Sequence, residues 1–340
     1  MKTILFYSSV KTKEMFSVQG FYRNDILSLQ KLGYQVVLSN RFVDFFCFWK
    51  YSISFLYFYR YSCVPAFISK LFFKKVYFTG GIDYLDSNVA TSKQRFIQAV
   101  FFKICNFFSD GSILVSSADV KNVRNLYKGK LPKNCSLNFH AIDVEAFTFT
   151  DDFSKKKNNY CTIAWMANID NVFRKGVDKA LNIFSEIAKT DSDAMFYIAG
   201  MEGEGSKYIL QQMNRLSFQN RVVYLGTISE EEKIRILKES KYYFQLSKYE
   251  GFGIAAIEAL AAGCLVIHSG RGGLKDAVGE YGYVVDIENP MPTETLLPEI
   301  KEKSADYESL KNGIQYVREM FSIQQRIDFF SKVINDKKTI

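Results

Sequence analysis

The chain has 340 residues, 48% of them hydrophobic and 16% aromatic, with a formal net charge of +8. This length exceeds what one core needs and suits two domains, and the apolar content, without any long Pro, Ser or Gln tract, excludes a largely disordered chain. The charge is lopsided: residues 1–150 hold 19 Lys and Arg against 9 Asp and Glu (+10), and residues 151–340 hold 25 against 27 (−2), yet no zinc-finger spacing, RNP-like motif or helix-turn-helix signal makes nucleic acid the partner.

Lys2 to Ser8 reads as a first buried strand, and its apolar run is too short for a signal-peptide core, so a cytoplasmic protein is expected. A loop around Gly20 leads into a helix whose stripe is Ile26, Leu27, Leu29 and Leu32, ended by Gly33; Tyr34 to Ser39 is the next strand. Between Phe42 and Phe73 there are 14 aromatic residues in 32, interleaved with Lys50, Arg60 and Lys70. Those charges leave no apolar run of the roughly 18 residues that a membrane span demands. The composition suits an amphipathic surface in contact with anionic lipid at the inner face of the membrane, or else ordinary core helices. Strands at Lys75 to Thr79 and Ser112 to Ser116, separated by an aromatic helix around Phe101 to Phe108, complete a parallel-sheet pattern.

The polar run 150–159 is the predicted linker, giving domains at 1–150 and 151–320, with a C-terminal helix over 321–340. Strands follow at Cys161 to Met166, Ala194 to Ala199, Arg221 to Leu225, Tyr242 to Leu246 and Leu265 to His268, with helices around 176–189, 206–217 and 230–240 and a helical segment at 306–332. The fold class is α/β with two doubly wound parallel sheets, and open sheets of this kind bind ligands at the carboxyl ends of their strands, here in a cleft between two such ends. Cys47, Cys63, Cys105, Cys135, Cys161 and Cys264 form no C-x-x-C pair and no metal spacing, so they read as reduced thiols.

The stretch KYEGFGIAAIEALAAGCLVIHS, Lys248 to Ser269, carries the chemistry. Gly251 and Gly253 permit a tight strand-to-helix turn that a Cβ would obstruct, so Glu250 falls on the loop and Glu258 about a turn and a half inside a helix beginning near Gly253. Such a turn aims unpaired N–H groups and the helix dipole at the mouth of the sheet, a setting that suits phosphate. Small alanines let the helix lie close to the sheet, and Gly263 suits its C-terminal cap.

Glu250 and Glu258, with seven residues between them, resemble the E-x7-E motif of GT-B glycosyltransferases, specifically the retaining enzymes of family 4. The resemblance implies a GT-B fold of two Rossmann-like domains, with the last helix crossing back to the first. It implies that Glu250 lies beside the donor sugar, that Glu258 hydrogen-bonds the ribose, and that the Gly251-Phe252-Gly253 turn meets the phosphates. Lys175 before Gly176 matches the lysine that grips the donor phosphates; the family's arginine is absent, Asn168 stands near its place, and either Arg174 replaces it or the site lacks one cation. Gly272, Gly273 and Asp276 resemble the family's G-G-x-x-[ED] segment, and Gly20 resembles its N-terminal glycine loop. Asp83, in FTGGIDYLD, is the best polar candidate for orienting the acceptor, with a helix cap as the alternative role. His140 and His268 read as structural. Asp191-Ser192-Asp193 reads as an exposed turn, and no metal is required if Arg174, Lys175 and helix amides carry the phosphate charge.

The expected activity is metal-independent, retaining transfer of a sugar from a nucleoside-diphosphate sugar, a co-substrate rather than a cofactor, to a saccharide, lipid-linked and destined for a surface polysaccharide such as capsule or O-antigen. The catalytic residues implied are Glu250, Lys175 and Asp83. The alternative is a catalytically silent nucleotide-sugar-binding subunit that docks a partner transferase.

Overall fold

The computed structural model describes residues 2–335, which divide into two compact units. The first runs to Asp143 and resumes at Met320; the second is Val144–Glu319.

In the first unit β1 (Thr3–Tyr7), β2 (Gln35–Ser39), β3 (Ile53–Tyr57), β4 (Lys75–Thr79), β5 (Gly111–Leu114) and β6 (Cys135–Leu137) form one parallel sheet in the order β2-β1-β3-β4-β5-β6. The reversal of order at β1 and β3 marks a doubly wound sheet. Side chains alternate along β1: Leu5 and Tyr7 pack with Ala66, Ile68, Phe102 and Cys105 from the helices Cys63–Leu71 and Ser92–Phe107. Ile4 and Phe6 pack on the other face with Tyr22 and Leu29 of the helix Gly20–Lys31 and with Phe330 and Ile334 of the helix Ile323–Asn335. Each fully buried phenylalanine contributes roughly 1.5–3 kcal/mol of transfer free energy.

Three features here differ from the sequence reading. The aromatic stretch 42–73 contains the central strand β3, all five of whose residues, ISFLY, are buried. A strand covered on both faces loses the alternation that would have announced it. Gly20 is the first residue of the helix Gly20–Lys31 rather than part of a loop; the turn lies earlier, at 11–14. The helical segment 306–332 is two helices, Tyr307–Phe321 and Ile323–Asn335, interrupted where Ser322 forms a parallel bridge with Ile142 and the Ile142 amide donates to the Phe321 carbonyl at 2.8 Å. The last of these packs on Gly20–Lys31, as expected of a helix that returns to the first domain.

In the second unit β7 (Lys157–Ile163), β8 (Met195–Ala199), β9 (Val222–Gly226), β10 (Ser240–Gln245), β11 (Leu265–His268) and β12 (Tyr283–Val284) form a second parallel sheet in the order β12-β11-β10-β7-β8-β9. Within the polar run 150–159, Lys157 already opens β7, and Lys156 is buried with its Nζ donating to the Leu237, Lys238 and Ser240 carbonyls. It thereby satisfies carbonyls at the C-terminal end of the helix Glu230–Glu239, which would otherwise lack partners. Because all strands are parallel, the loops after β7, β10 and β11 leave from one edge of the sheet, where the chemistry-bearing residues collect.

Candidate active site

The loop after β10 is organised around one carboxylate oxygen. Glu250 Oε1 accepts from Lys175 Nζ at 2.6 Å, from Gln245 Nε2 at 2.8 Å and from Ser247 Oγ at 2.8 Å. Gln245 also donates to Ser247 Oγ at 3.0 Å, so the hydroxyl relays the amide onto the carboxylate. Glu250 is only 8% exposed. Burial pushes its pKa up, but the charge and hydrogen bond of Lys175, the Ser247 hydroxyl and the nearby Arg174 charge outweigh burial and hold it below the ordinary value. The carboxylate is ionised at neutral pH. An ammonium carries three protons, so Lys175 retains donors beyond the one that meets Glu250.

Close backbone contacts fix this pair. Lys175 ends the short helix Ile169–Lys175, and Gly176 follows at φ +69°, where a Cβ would fall 2.0 Å from the Leu246 carbonyl oxygen. The Lys248 amide donates to the Arg174 carbonyl at 2.8 Å, tying the Glu250 loop to that helix end. On the other side Gly272, at φ +64°, bridges Glu250 as a strand residue would, and a Cβ there would lie 2.1 Å from the Glu250 carbonyl oxygen. The Gly273 amide donates to that carbonyl at 2.8 Å. The two glycines of the sequence motif thus seat the glutamate's backbone. Gly253 is left-handed, φ +113°, and opens the helix Ile254–Ala261 as predicted. That helix ends in a Schellman arrangement, with Gly263 N donating to Leu260 O and Cys264 N to Ala259 O.

Glu258 is the fifth residue of that helix and 3% exposed. Lys233 Nζ lies 2.8 Å from its Oε1 and 3.1 Å from Glu230 Oε1, and sits 5.0 Å from the centre of the Phe147 ring. The two glutamates therefore carry separate lysines, Lys175 for Glu250 and Lys233 for Glu258. Neither Lys233 nor Gln245 and Ser247 was anticipated. The period-two spacing of Gln245, Ser247 and the strand before them was the available signal; Lys233 lay hidden in the run EEEK, which reads as a solvated helix start.

The remaining candidates fall into place unevenly. Arg174 and Lys175 form the last turn of one short helix and stand, as expected, directly before another, Val177–Thr190, and Arg174 is half-buried. Asn168 is the N-cap of the short helix, its Oδ1 accepting from the Asn171 amide at 2.9 Å, so its carbonyl oxygen is engaged by the backbone. Phe252 is buried, and Gly251 meets Gly273 closely. Gly20 and Asp83 belong to the first unit. Asp83 opens a short 3-10 turn after β4 beside Asp119, whose pKa is driven well above the usual range by burial and by the Asp83 charge. Burial lowers His140 to about 3 and His268 to about 4, leaving both neutral at physiological pH. Asp191 caps its helix and pairs with Lys301 at 2.9 Å with its side chain only 12% exposed, so the exposed turn expected of Asp191-Ser192-Asp193 holds for Ser192 and Asp193 but not for Asp191.

Comparison with known proteins places this arrangement. The pattern of the family described as "Glycosyl transferases group 1" matches residues 149–320. The gpi3 subunit of phosphatidylinositol N-acetylglucosaminyltransferase from Schizosaccharomyces pombe is 26% identical over 147 residues, 43% of this chain and 31% of that protein. The chain thus spans under a third of that relative. Two solved structures share the fold over nearly all of both chains. Sucrose-phosphate synthase from Thermosynechococcus elongatus has a TM-score of 0.75 at 15% identity, covering 98% of each chain. Anabaena HepE in complex with UDP and glucose has a TM-score of 0.75 at 14% identity, covering 99% of this chain and 100% of its own.

Proposed function

The chain belongs to the group 1 glycosyl transferases, and from that premise we propose that it is a retaining enzyme of nucleoside-diphosphate sugars. The observation that carries this reading is the buried, ionised Glu250 held by Lys175, Gln245 and Ser247 at the strand-end edge of the second sheet. In the proposed reaction the bond between the anomeric carbon and the phosphate oxygen breaks, and its electron pair leaves with the nucleotide. An acceptor hydroxyl forms the new C–O bond on the same face and gives its proton to the departing phosphate. Lys175 and Arg174, with the amides of the Gly251 to Gly253 turn, stabilise the charge on that phosphate. Electrostatic stabilisation of developing charge in this way is commonly the largest catalytic contribution. Glu250 positions the sugar and, through its own charge, Lys175; Glu258 receives the ribose hydroxyls. Asp83 orients the acceptor.

The acceptor we propose is a saccharide, lipid-linked, in the assembly of a surface polysaccharide. The N-acetylglucosaminyltransferase named above acts on a phosphatidylinositol, and the basic first half of this chain suits an acceptor presented at an anionic surface. A screen of nucleoside-diphosphate sugars by thermal shift tests the donor assignment, because a ligand bound only by the folded state at a hundred times its Kd adds about 2.7 kcal/mol of stability. Loss of that shift in Glu258→Ala supports the ribose role, and an unchanged shift rejects it.

A second reading, a catalytically silent nucleotide-sugar-binding subunit, is favoured by one observation: Asn168 caps a helix where the family's arginine is expected. Tight donor binding with no sugar moved to any acceptor would select it.

A further inference from the structure

The helices that cover one face of the first sheet are amphipathic on their wrong side as well as their right one. In Cys63–Leu71 the residues Ala66 and Ile68 pack on the sheet, while Val64, Phe67 and Leu71, at helical spacing, are 47%, 53% and 59% exposed. In Ser92–Phe107 the inward residues are Phe102 and Cys105, and a second stripe, Phe96, Val100, Ile104 and Phe107, is 70%, 40%, 40% and 81% exposed. The two helices touch, and Phe67 packs edge-on against Phe108 at 5.7 Å, so the stripes lie on adjoining elements of one surface. Phe73, just beyond the first helix, is 96% exposed.

A helix on a globular domain ordinarily turns polar residues outward, and apolar patches this extensive mark an interaction surface. The charge around the stripes identifies what they meet. From Phe45 to Ile82 there is no Asp or Glu, and from Ser87 to Ser109 there is none either. Arg60, Lys75, Lys93 and Lys103 are exposed among them. A second copy of the same face would set cations against cations, whereas an anionic lipid surface accepts apolar side chains below its headgroups and cations among them.

We propose that the paired outer faces of Cys63–Leu71 and Ser92–Phe107 form a peripheral membrane-docking surface selective for anionic lipid. The inference rests on and deepens the lipid-linked acceptor reading above, and extends the contact from Cys63–Leu71, within the aromatic stretch 42–73, to Ser92–Phe107, outside it. No helix among the described residues is long and apolar enough to cross a membrane, so the surface dips into the interface only.

Flotation of the full chain with phosphatidylcholine vesicles, with and without phosphatidylglycerol, tests it without donor or acceptor, and so apart from sugar transfer. The wild type is expected to float with phosphatidylglycerol vesicles and to be released by salt. The variant F67S/F96S/F107S, whose side chains all point outward, should lose at least tenfold in bound fraction with unchanged circular dichroism and melting temperature. K93E/K103E should weaken binding and flatten its salt dependence. Failure of the wild type to float, equal flotation of the serine variant, or a serine variant that only turns a dimer into a monomer would each overturn the proposal.

Discussion

Asp25 and Arg326, 301 residues apart, form a bidentate ion pair at 2.8 Å on both arms, with the side chains 1% and 0% exposed. Tyr57 Oη donates to the same carboxylate, and Arg326 also reaches the Asn138 and Phe139 carbonyls. The pair fastens the last helix to the first unit. Removing one partner strands the other's charge, so Arg326→Met should cost about 3–5 kcal/mol, and Arg326→Met with Asp25→Leu should recover much of that loss. Urea unfolding of the single and double variants reads the difference.

Lys233 is expected to act through Glu258. Lys233→Met removes the cation that meets this buried carboxylate, and a charged hydrogen bond is worth roughly 1.5–3 kcal/mol. Donor affinity should fall on the order of tenfold, with Lys233→Arg restoring most of it. Calorimetric titration with a nucleoside diphosphate supplies the numbers; an unchanged Kd in the methionine variant would assign Lys233 to stability alone.

Gly272→Ala should damage Glu250 without touching its side chain. The added Cβ would fall 2.1 Å from the Glu250 carbonyl oxygen, in a left-handed conformation that alanine disfavours. Turnover is expected to drop further than melting temperature would explain. Alanine at Gly129, which is also left-handed but has open space around it, is the control for backbone strain alone.

Stability should decline on acidification in two stages. His140 and His268 ionise near 6.5 when unfolded but, because burial disfavours the cation, only near 3 and 4 in the fold. Their contribution is complete above pH 6.5 and is lost as pH falls through that window. At roughly 1.4 kcal/mol per unit, His268 alone accounts for about 3 kcal/mol by pH 4. Glu250, whose ordinary value is 4.5 and whose folded value is lower, joins only below 4.5. Melting curves of His268→Asn between pH 7 and 5 should show a shallower pH slope than the wild type.

The sequence was legible where a residue's own geometry carries the message. Gly251, Gly253 and Gly263 announced a turn, a helix start and a cap, and the helix Ile254–Ala261 lies between them. Glu250 and Glu258 were conspicuous as acids in a small-residue apolar run. What stayed hidden depends on partners distant in sequence. Lys233 meets Glu258 across 25 residues, and Arg326 meets Asp25 across 301. Strand β3 was masked because burial on both faces erases its period, leaving five residues indistinguishable from their aromatic neighbours. The outward stripe of Ser92–Phe107 escaped for the opposite reason: apolar residues on both sides of a helix look like a buried helix until exposure is known.

In the proposed mechanism Glu250, held by Lys175, serves transfer from a nucleotide sugar. Nucleotide release from a panel of nucleoside-diphosphate sugars, with and without saccharide acceptors, measured for the wild type and Glu250→Gln, tests it most directly. Acceptor-stimulated release is expected of the wild type and a loss of roughly a hundredfold or more in the variant, in the range seen when one group stabilising the transition state is removed, with donor affinity changed only a few-fold. Equal turnover by the two proteins would contradict it.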